Sequence, residues 1–394
     1  MTGPDLTADA ARRTLAPLGP APGDDETARR RYATVLWSHA TEPGDSVAGR
    51  LIAARGPVEA LQAVLAGGAL PELTPRELSD ARKRWVPRLS MQAVTDAIRI
   101  AAVRGVQLVT RDDDRWPAQL DDLEVHAPLC LWVRGDLSAL PRLRASVAIV
   151  GARASTRYGD HVAMELAAEL AANGVAVVSG GAYGIDGAAH RAALAADGLT
   201  AALLAGGAER AYPAGHTQLL DDVARSGLVI SEVPCGTAPT KWRFLQRNRL
   251  IAAVSAATVV VEAGWRSGSL NTANHADSLS RPVGAVPGPI TSAASAGTLR
   301  LIRECAAQCI TSADDVREML GIGAPSAPPD AGAPTDQSTR VRDAMSTRTW
   351  RDAAEIARRA GMAPEDAEAI LGLLHLEGSA TRTPAGWRLT RNAV

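Results

Sequence analysis

Three observations predict an α/β protein built on a doubly wound, mostly parallel sheet of the Rossmann-like kind. Between about residues 146 and 320, short unbroken apolar runs alternate with Ala-rich amphipathic stretches. Strands without polar alternation are buried on both faces, which requires helices above and below a parallel sheet. The helical stretches end on steps such as Asn173-Gly174, Asp197-Gly198 and Ser226-Gly227, the usual stop signals. Segments rich in Gly, Ser and Thr follow one strand after another, where a parallel sheet gathers its ligand-binding edge.

In chain order, residues 1–30 are rich in Pro, Gly, Asp and Arg without periodicity, which predicts a loose tail. Residues 31–104 contain RYATVLWSHA, VAGRLIAAR and PVEALQAVLAG, helical segments separated by Gly and Pro, and predict a small all-α domain. The sheet domain is expected over 105–320. Its strands begin with VQLVT (106–110) and LCLWVRG (129–135) and continue with VAIV (147–150), VAVVS (175–179) and TAALLA (200–205). LVISE (228–232), TVVVEA (258–263), PVGAVP (282–287) and a short piece near CITS (309–312) complete it. The Pro/Ala/Gly run of 321–338 reads as a linker. Residues 339–394 give three helices and a hairpin turning at Pro384-Ala385-Gly386, the pattern of a winged helix-turn-helix.

Composition narrows the function. Lys+Arg 42 against Asp+Glu 43 leaves a net charge of -1, so a nucleic-acid site has to be a local patch. Cys130, Cys235, Cys305 and Cys309 form no CxxC pair and predict reduced thiols in or near the core, with no metal site. The polar N-terminus is unlike a signal peptide, and no apolar run is long enough to span a bilayer. A cytoplasmic protein without a membrane partner is expected.

KWRFLQRNR (241–249) holds the single Phe of the chain, Phe244, and one of its few lysines, Lys241. Arg243, Arg247 and Arg249 add charge, Asn248 a donor, and no acid stands between Glu232 and Glu262. Aromatics among uncompensated cations suit phosphates and stacked bases. The loops after the strands supply the rest. GARASTRYG (151–159) offers Arg153, Ser155 and Thr156 at a helix start, where amides attract anions, though a capped βα turn is the plainer reading. SGGAYGIDGAAH (179–190) offers Ser179, Gly180 and Gly181 for close backbone approach, with Asp186 as a cap and His190 as a structural residue. GGAERAYPAGH (206–216) marks a third strand end, and WRSGSLNTANHA (265–276) brings Ser267, Gly268, Ser269, Asn271 and Thr272.

Several chemistries are excluded. Lys83 precedes Arg84 and Lys241 precedes Trp242, so no Walker A motif exists. H-E-x-x-H, G-x-S-x-G and G-x-G-x-x-G patterns are missing too. Glu232 and Glu262 at strand ends read better as helix caps or partners of local arginines than as an acid/base pair. No cofactor and no catalytic residue is expected.

The ordered set VAIVGAR, SGGAYGIDGAAH, Tyr212-Pro213, LVISEVPCGTAP, FLQRNRLIAAVSAATVVVEA, RSGSLNTA and AVPGPI resembles the DNA processing protein A family (DprA, also called Smf). The resemblance covers residues 30–394. It implies a sterile-alpha-motif-like N-terminal domain, an extended Rossmann fold and, in some members, a C-terminal winged helix. It further implies a homodimer that binds and protects single-stranded DNA and helps load the RecA recombinase in natural transformation. By position, Arg153 matches the family's phosphate-gripping arginine, Lys241 its DNA-contacting lysine and Phe244 its base-contacting aromatic. The chain departs from the pattern at Ala152, where Ser is usual, at His216, where Asn is, and at Leu245, where Pro is. It departs again across 297–309, with Cys305 at a common Gly position.

Two alternatives stand beside this reading. Nucleotide phosphoribohydrolases share related folds, and Arg153 with Glu262 resembles their catalytic pair, although their Pro-Gly-Gly-x-Gly-Thr run is missing. The C-terminal segment alone is the second alternative, a duplex-DNA reader using Arg358, Arg359 and Arg382. The acidic stretch APEDAEAI (363–370) weighs against it.

Overall fold

A computed structural model describes residues 4–19, 23–322 and 337–390. Two compact units divide near residue 324. The first opens with six helices: α1 (Ala8–Leu15), α2 (Asp25–Ala40), α3 (Ser46–Arg55), α4 (Pro57–Ala66), α5 (Pro75–Trp85) and α6 (Met91–Arg104). The expected loose tail is corrected here. Thr7 caps α1 through the Ala10 amide, and Ala11 and Leu15 are buried against α2. The stretch looked unpatterned because it is a single amphipathic helix of eight residues, too short for periodicity to stand out.

The sheet has nine strands: β1 (Val106–Thr110), β2 (Cys130–Gly135), β3 (Ser146–Val150), β4 (Ala176–Ser179), β5 (Thr200–Leu204), β6 (Leu228–Ser231), β7 (Ala257–Val260), β8 (Val283–Ala285) and β9 (Gln308–Cys309). Their order is β1-β2-β6-β5-β4-β3-β7-β8-β9. From β6 to β9 every pairing is parallel, while β1 and β2 add an antiparallel edge. The helices between them are α7 (Arg157–Ala172), α8 (Ile185–Ala195), α9 (Thr217–Ser226), α10 (Lys241–Val254), α11 (Ser269–Ser278), α12 (Ala296–Glu304) and α13 (Ala313–Met319).

Successive strand residues feed opposite cores. Val147, Ile149, Val177 and Val259 pack under α7, α8 and α13; Ala148, Val150, Val178 and Val260 pack under α10, α11 and α12. Leu108, Trp132, Leu204 and Val229 join α9 and the N-terminal helices in a third cluster. The all-α segment and the sheet thus share one core instead of forming separate domains. Arg31 strengthens the join by donating to the Leu108 carbonyl at 2.8 Å.

The second unit has α14 (Gln337–Ala344), α15 (Ala353–Ala360), α16 (Pro364–Leu376) and the hairpin β10 (Ala380–Thr383) and β11 (Gly386–Leu389). Val341, Ile356, Leu371 and Trp387 form its core. Three helices and then a hairpin is the element order read from the sequence. Most of the expected linker, 323–336, lies outside the described residues.

Among the described residues no helix is long and apolar enough to cross a membrane. Cys130 and Cys235 are buried thiols, and burial pushes Cys130 up to about 12. Cys305 and Cys309 are exposed, against the expectation of thiols in or near the core. They follow α12 at the outer edge of the sheet, where no further layer covers them.

Candidate nucleic-acid interface

The parallel strands end together, and the segments leaving β3, β4, β5, β6 and β7 surround a crevice of about 460 Å³. Arg153, Lys241, Phe244, Arg247, Asn248, Ser267, Gly268 and Ser269 line it, eight of the residues singled out from the sequence. Tyr212, Thr240 and Asp186 line it as well. Thr240 is the N-cap of α10 and accepts from the Arg243 amide at 3.3 Å, so Lys241 occupies the first helical position. The helix start therefore adds unsatisfied amides and a partial positive charge beside that lysine. Lys241 is exposed, and none of its partners lies among the described residues.

Phe244 reaches across the crevice. The Arg153 guanidinium carbon lies 4.8 Å from its ring centre, and the Tyr212 ring 5.5 Å away. On its inner side Arg247 approaches to 5.8 Å. Arg247 is buried, and its Nη1 donates to the carbonyls of Gly180 and Leu203. Burial drops its pKa to about 10, with the charge of Asp186 opposing the drop and that of Arg153 reinforcing it. Asp186 accepts from the amides of Gly180 at 3.1 Å and Ala182 at 3.3 Å. Burial raises its carboxyl pKa against the pull of Arg247. A Cβ on Gly180 would collide with both side chains, so only glycine fits the turn between them.

Several expected contacts are corrected. Arg243 turns away and forms a two-bond ion pair with Glu42, in the connection between α2 and α3, each bond 2.9 Å. Burial pushes the Glu42 carboxyl up, but Arg243 and Arg88 more than offset it. Arg249 is buried, and its Nη2 donates to both carboxylate oxygens of Glu232, at 2.7 and 2.9 Å. Two of the four cations read as uncompensated are therefore matched by acids distant in sequence. Ser155 bonds Asp160, and Ser179 is fully buried, donating to the Ile149 carbonyl at 2.6 Å. Gly181, at φ +68, faces Leu220. Asn271 accepts from Asn248 at 3.3 Å and braces the crevice wall from behind.

Glu262 accepts from the Thr156 amide at 2.8 Å and its hydroxyl at 2.6 Å. At 2% exposure it is locked under the start of α7, away from the crevice lining. It serves as a helix-start anchor, not as a partner for Arg153. His190 is buried, with Nδ1 2.7 Å from the Thr200 hydroxyl; that hydroxyl donates onward to Val177, so Nδ1 carries the proton. Burial, aided by nearby cationic groups, depresses His190 to about 3. Among the described residues no metal-ligating cluster is gathered.

The arrangement offers cations, hydroxyls and helix-start amides for anions around an aromatic face. The chain is similar to known proteins. Residues 107–321 match the model of the DNA recombination-mediator protein A family. The chain is 42% identical over 383 residues to a putative DNA processing protein DprA of Mycobacterium tuberculosis, covering 93% of this chain and 95% of that one. It is 37% identical over 223 residues to the DNA processing protein DprA of Bacillus subtilis, covering 56% and 74%. The structure of DprA from Streptococcus pneumoniae superposes with a TM-score of 0.58 at 29% identity, over 73% of this chain and 97% of that one. The family model covers more than half of the chain and the relatives match along it, and the chain belongs to the DNA recombination-mediator protein A family.

Proposed function

We propose that this protein binds single-stranded DNA without sequence preference, the strand crossing the carboxyl edge of the sheet. The convergence of Arg153, Lys241 and Phe244 on one crevice, from segments about 90 residues apart, carries the reading. Arg153, Lys241 and the amides at the start of α10 take phosphates, with Ser267 and Ser269 as further donors. Phe244 packs on a base or sugar, held by Arg153 and Tyr212. Arg243, Arg247 and Arg249 act indirectly by fixing α10. Every base has a π-face, so stacking tolerates any sequence.

The protein is not an enzyme in this reading, since Glu262 is committed to Thr156. The family's role in recombination supports the further step: a cytoplasmic homodimer that shields the strand and delivers it to the RecA recombinase.

Fluorescence anisotropy of a mixed-sequence single strand and its duplex, across a salt series, tests the proposal. Preference for the single strand, a steep salt slope and loss on Lys241→Glu are expected. Duplex preference untouched by that substitution would overturn it. Stimulation of RecA filament growth on strands covered by single-strand-binding protein, lost in the same variant, tests the delivery step.

A further inference from the structure

Five aromatic side chains are strongly exposed among the described residues: Tyr158, Tyr183, Tyr212, Trp242 and Trp265, at 44–57%. They fall one to each of the connections that leave the carboxyl ends of β3, β4, β5, β6 and β7. The other tyrosine, Tyr32, and the tryptophans of the helical segment, Trp37 and Trp85, are buried. Among the described residues the strongly exposed aromatics are therefore confined to a single edge of a single sheet. Chance scatter of surface apolar residues does not produce that.

Trp242 and Trp265 are the most exposed of the five, at 57% and 56%. Neither indole N–H has a partner among the described residues, and neither ring belongs to a core cluster. The fold gains little from them. Trp242 directly follows Lys241 in the first turn of α10. Trp265 precedes Arg266 and the Ser267–Ser269 segment that lines the crevice, and the Arg300 guanidinium lies 5.0 Å from its ring centre. Each ring thus stands one or two residues along the chain from groups placed to take phosphates. A protein-binding patch would gather apolar side chains into one continuous surface; here hydroxyls, glycine and cations separate the rings.

We propose that Trp242 and Trp265 are two further base-stacking platforms that extend the single-strand track beyond Phe244 on either flank of the crevice. The inference rests on the single-strand reading above. Stacking on such rings contributes about 1–3 kcal/mol per base, equivalent to roughly 5- to 150-fold in affinity.

The test compares full-length protein with Trp242→Ala, Trp265→Ala and the corresponding Phe variants. Binding is measured to a long mixed-sequence strand and to the same strand carrying abasic residues throughout. Each Ala variant is expected to bind the normal strand roughly tenfold more weakly, each Phe variant to recover most of the loss, and the abasic strand to show no difference. Unchanged melting temperatures will show that the fold is intact, as the exposure of both rings implies. Wild-type affinity in both Ala variants, with Phe244→Ala still impaired, would overturn the platforms and leave the central crevice standing. If Phe244→Ala and Lys241→Glu also bind as wild type, the single-strand reading itself falls. Lost self-association with DNA affinity intact would assign the rings to a protein interface and likewise overturn the proposal.

Discussion

The Arg153 guanidinium lies 4.8 Å from the centre of the Phe244 ring, joining the turn after β3 to the first turn of α10. A cation–π contact of this kind fixes both groups before any ligand arrives. Pre-ordered side chains lose less entropy when a strand binds.

The contact predicts coupling. Phe244→Ala should weaken single-strand binding by about 1–3 kcal/mol. Because Arg153 touches the ring, the Arg153→Ala and Phe244→Ala losses should fall short of additivity by about 0.5 kcal/mol or more. Anisotropy titrations of the two single variants and the double variant measure the difference. Strict additivity would mean that the ring is not held by Arg153 in the bound state.

Salt dependence should separate the cations. For single strands, log K falls with log salt by about 0.7 for each phosphate contact. Lys241→Ala should lower that slope by roughly this amount. Arg243→Ala should leave it unchanged, since Glu42 already neutralises the guanidinium. An equal drop in both variants would show that the Glu42 pair opens on binding.

Arg249 should matter for stability instead. Its side chain and that of Glu232 are 4% and 12% exposed. Removing one member of a buried pair leaves the other charge without its counter-ion, at a cost of about 3–5 kcal/mol. Urea denaturation of Arg249→Met should show a large loss, and the double change with Glu232→Leu should recover much of it. A neutral single substitution would show that water reaches the pair.

Acid should destabilise the protein well above the carboxylate range. His190 titrates near 3 when folded and near 6.5 when unfolded, so between those values only the unfolded chain holds its proton. Its contribution is complete above 6.5 and is lost as pH falls, by about 1.4 kcal/mol per unit. His39, held down to about 4 by burial, and His275, also lowered chiefly by burial, act in the same direction. Urea midpoints between pH 7.5 and 5 should therefore decline, and His190→Gln should flatten the curve. An unchanged slope in that variant would place the titration elsewhere.

Much of the fold was legible in the sequence because its signals are local. VAIV and VAVVS are apolar throughout since each strand is covered on both faces, and a continuous apolar run requires no knowledge of its neighbours. Thr156 announces a helix start within a few residues. Lys241 and Phe244 stood out through rarity, and the crevice contains both. What stayed hidden depends on partners far along the chain. Arg243 and Arg249 carry no local mark that they will meet Glu42, some 200 residues earlier, and Glu232. Ser179 looks like a phosphate donor until the sheet buries it against Ile149. The sequence by itself determined the element types, the polar strand ends and the residue chemistry of the crevice, because dihedral preference and burial pattern act over a few residues. Only the tertiary structure decided which charges remain free, because neutralisation is a matter of proximity in space.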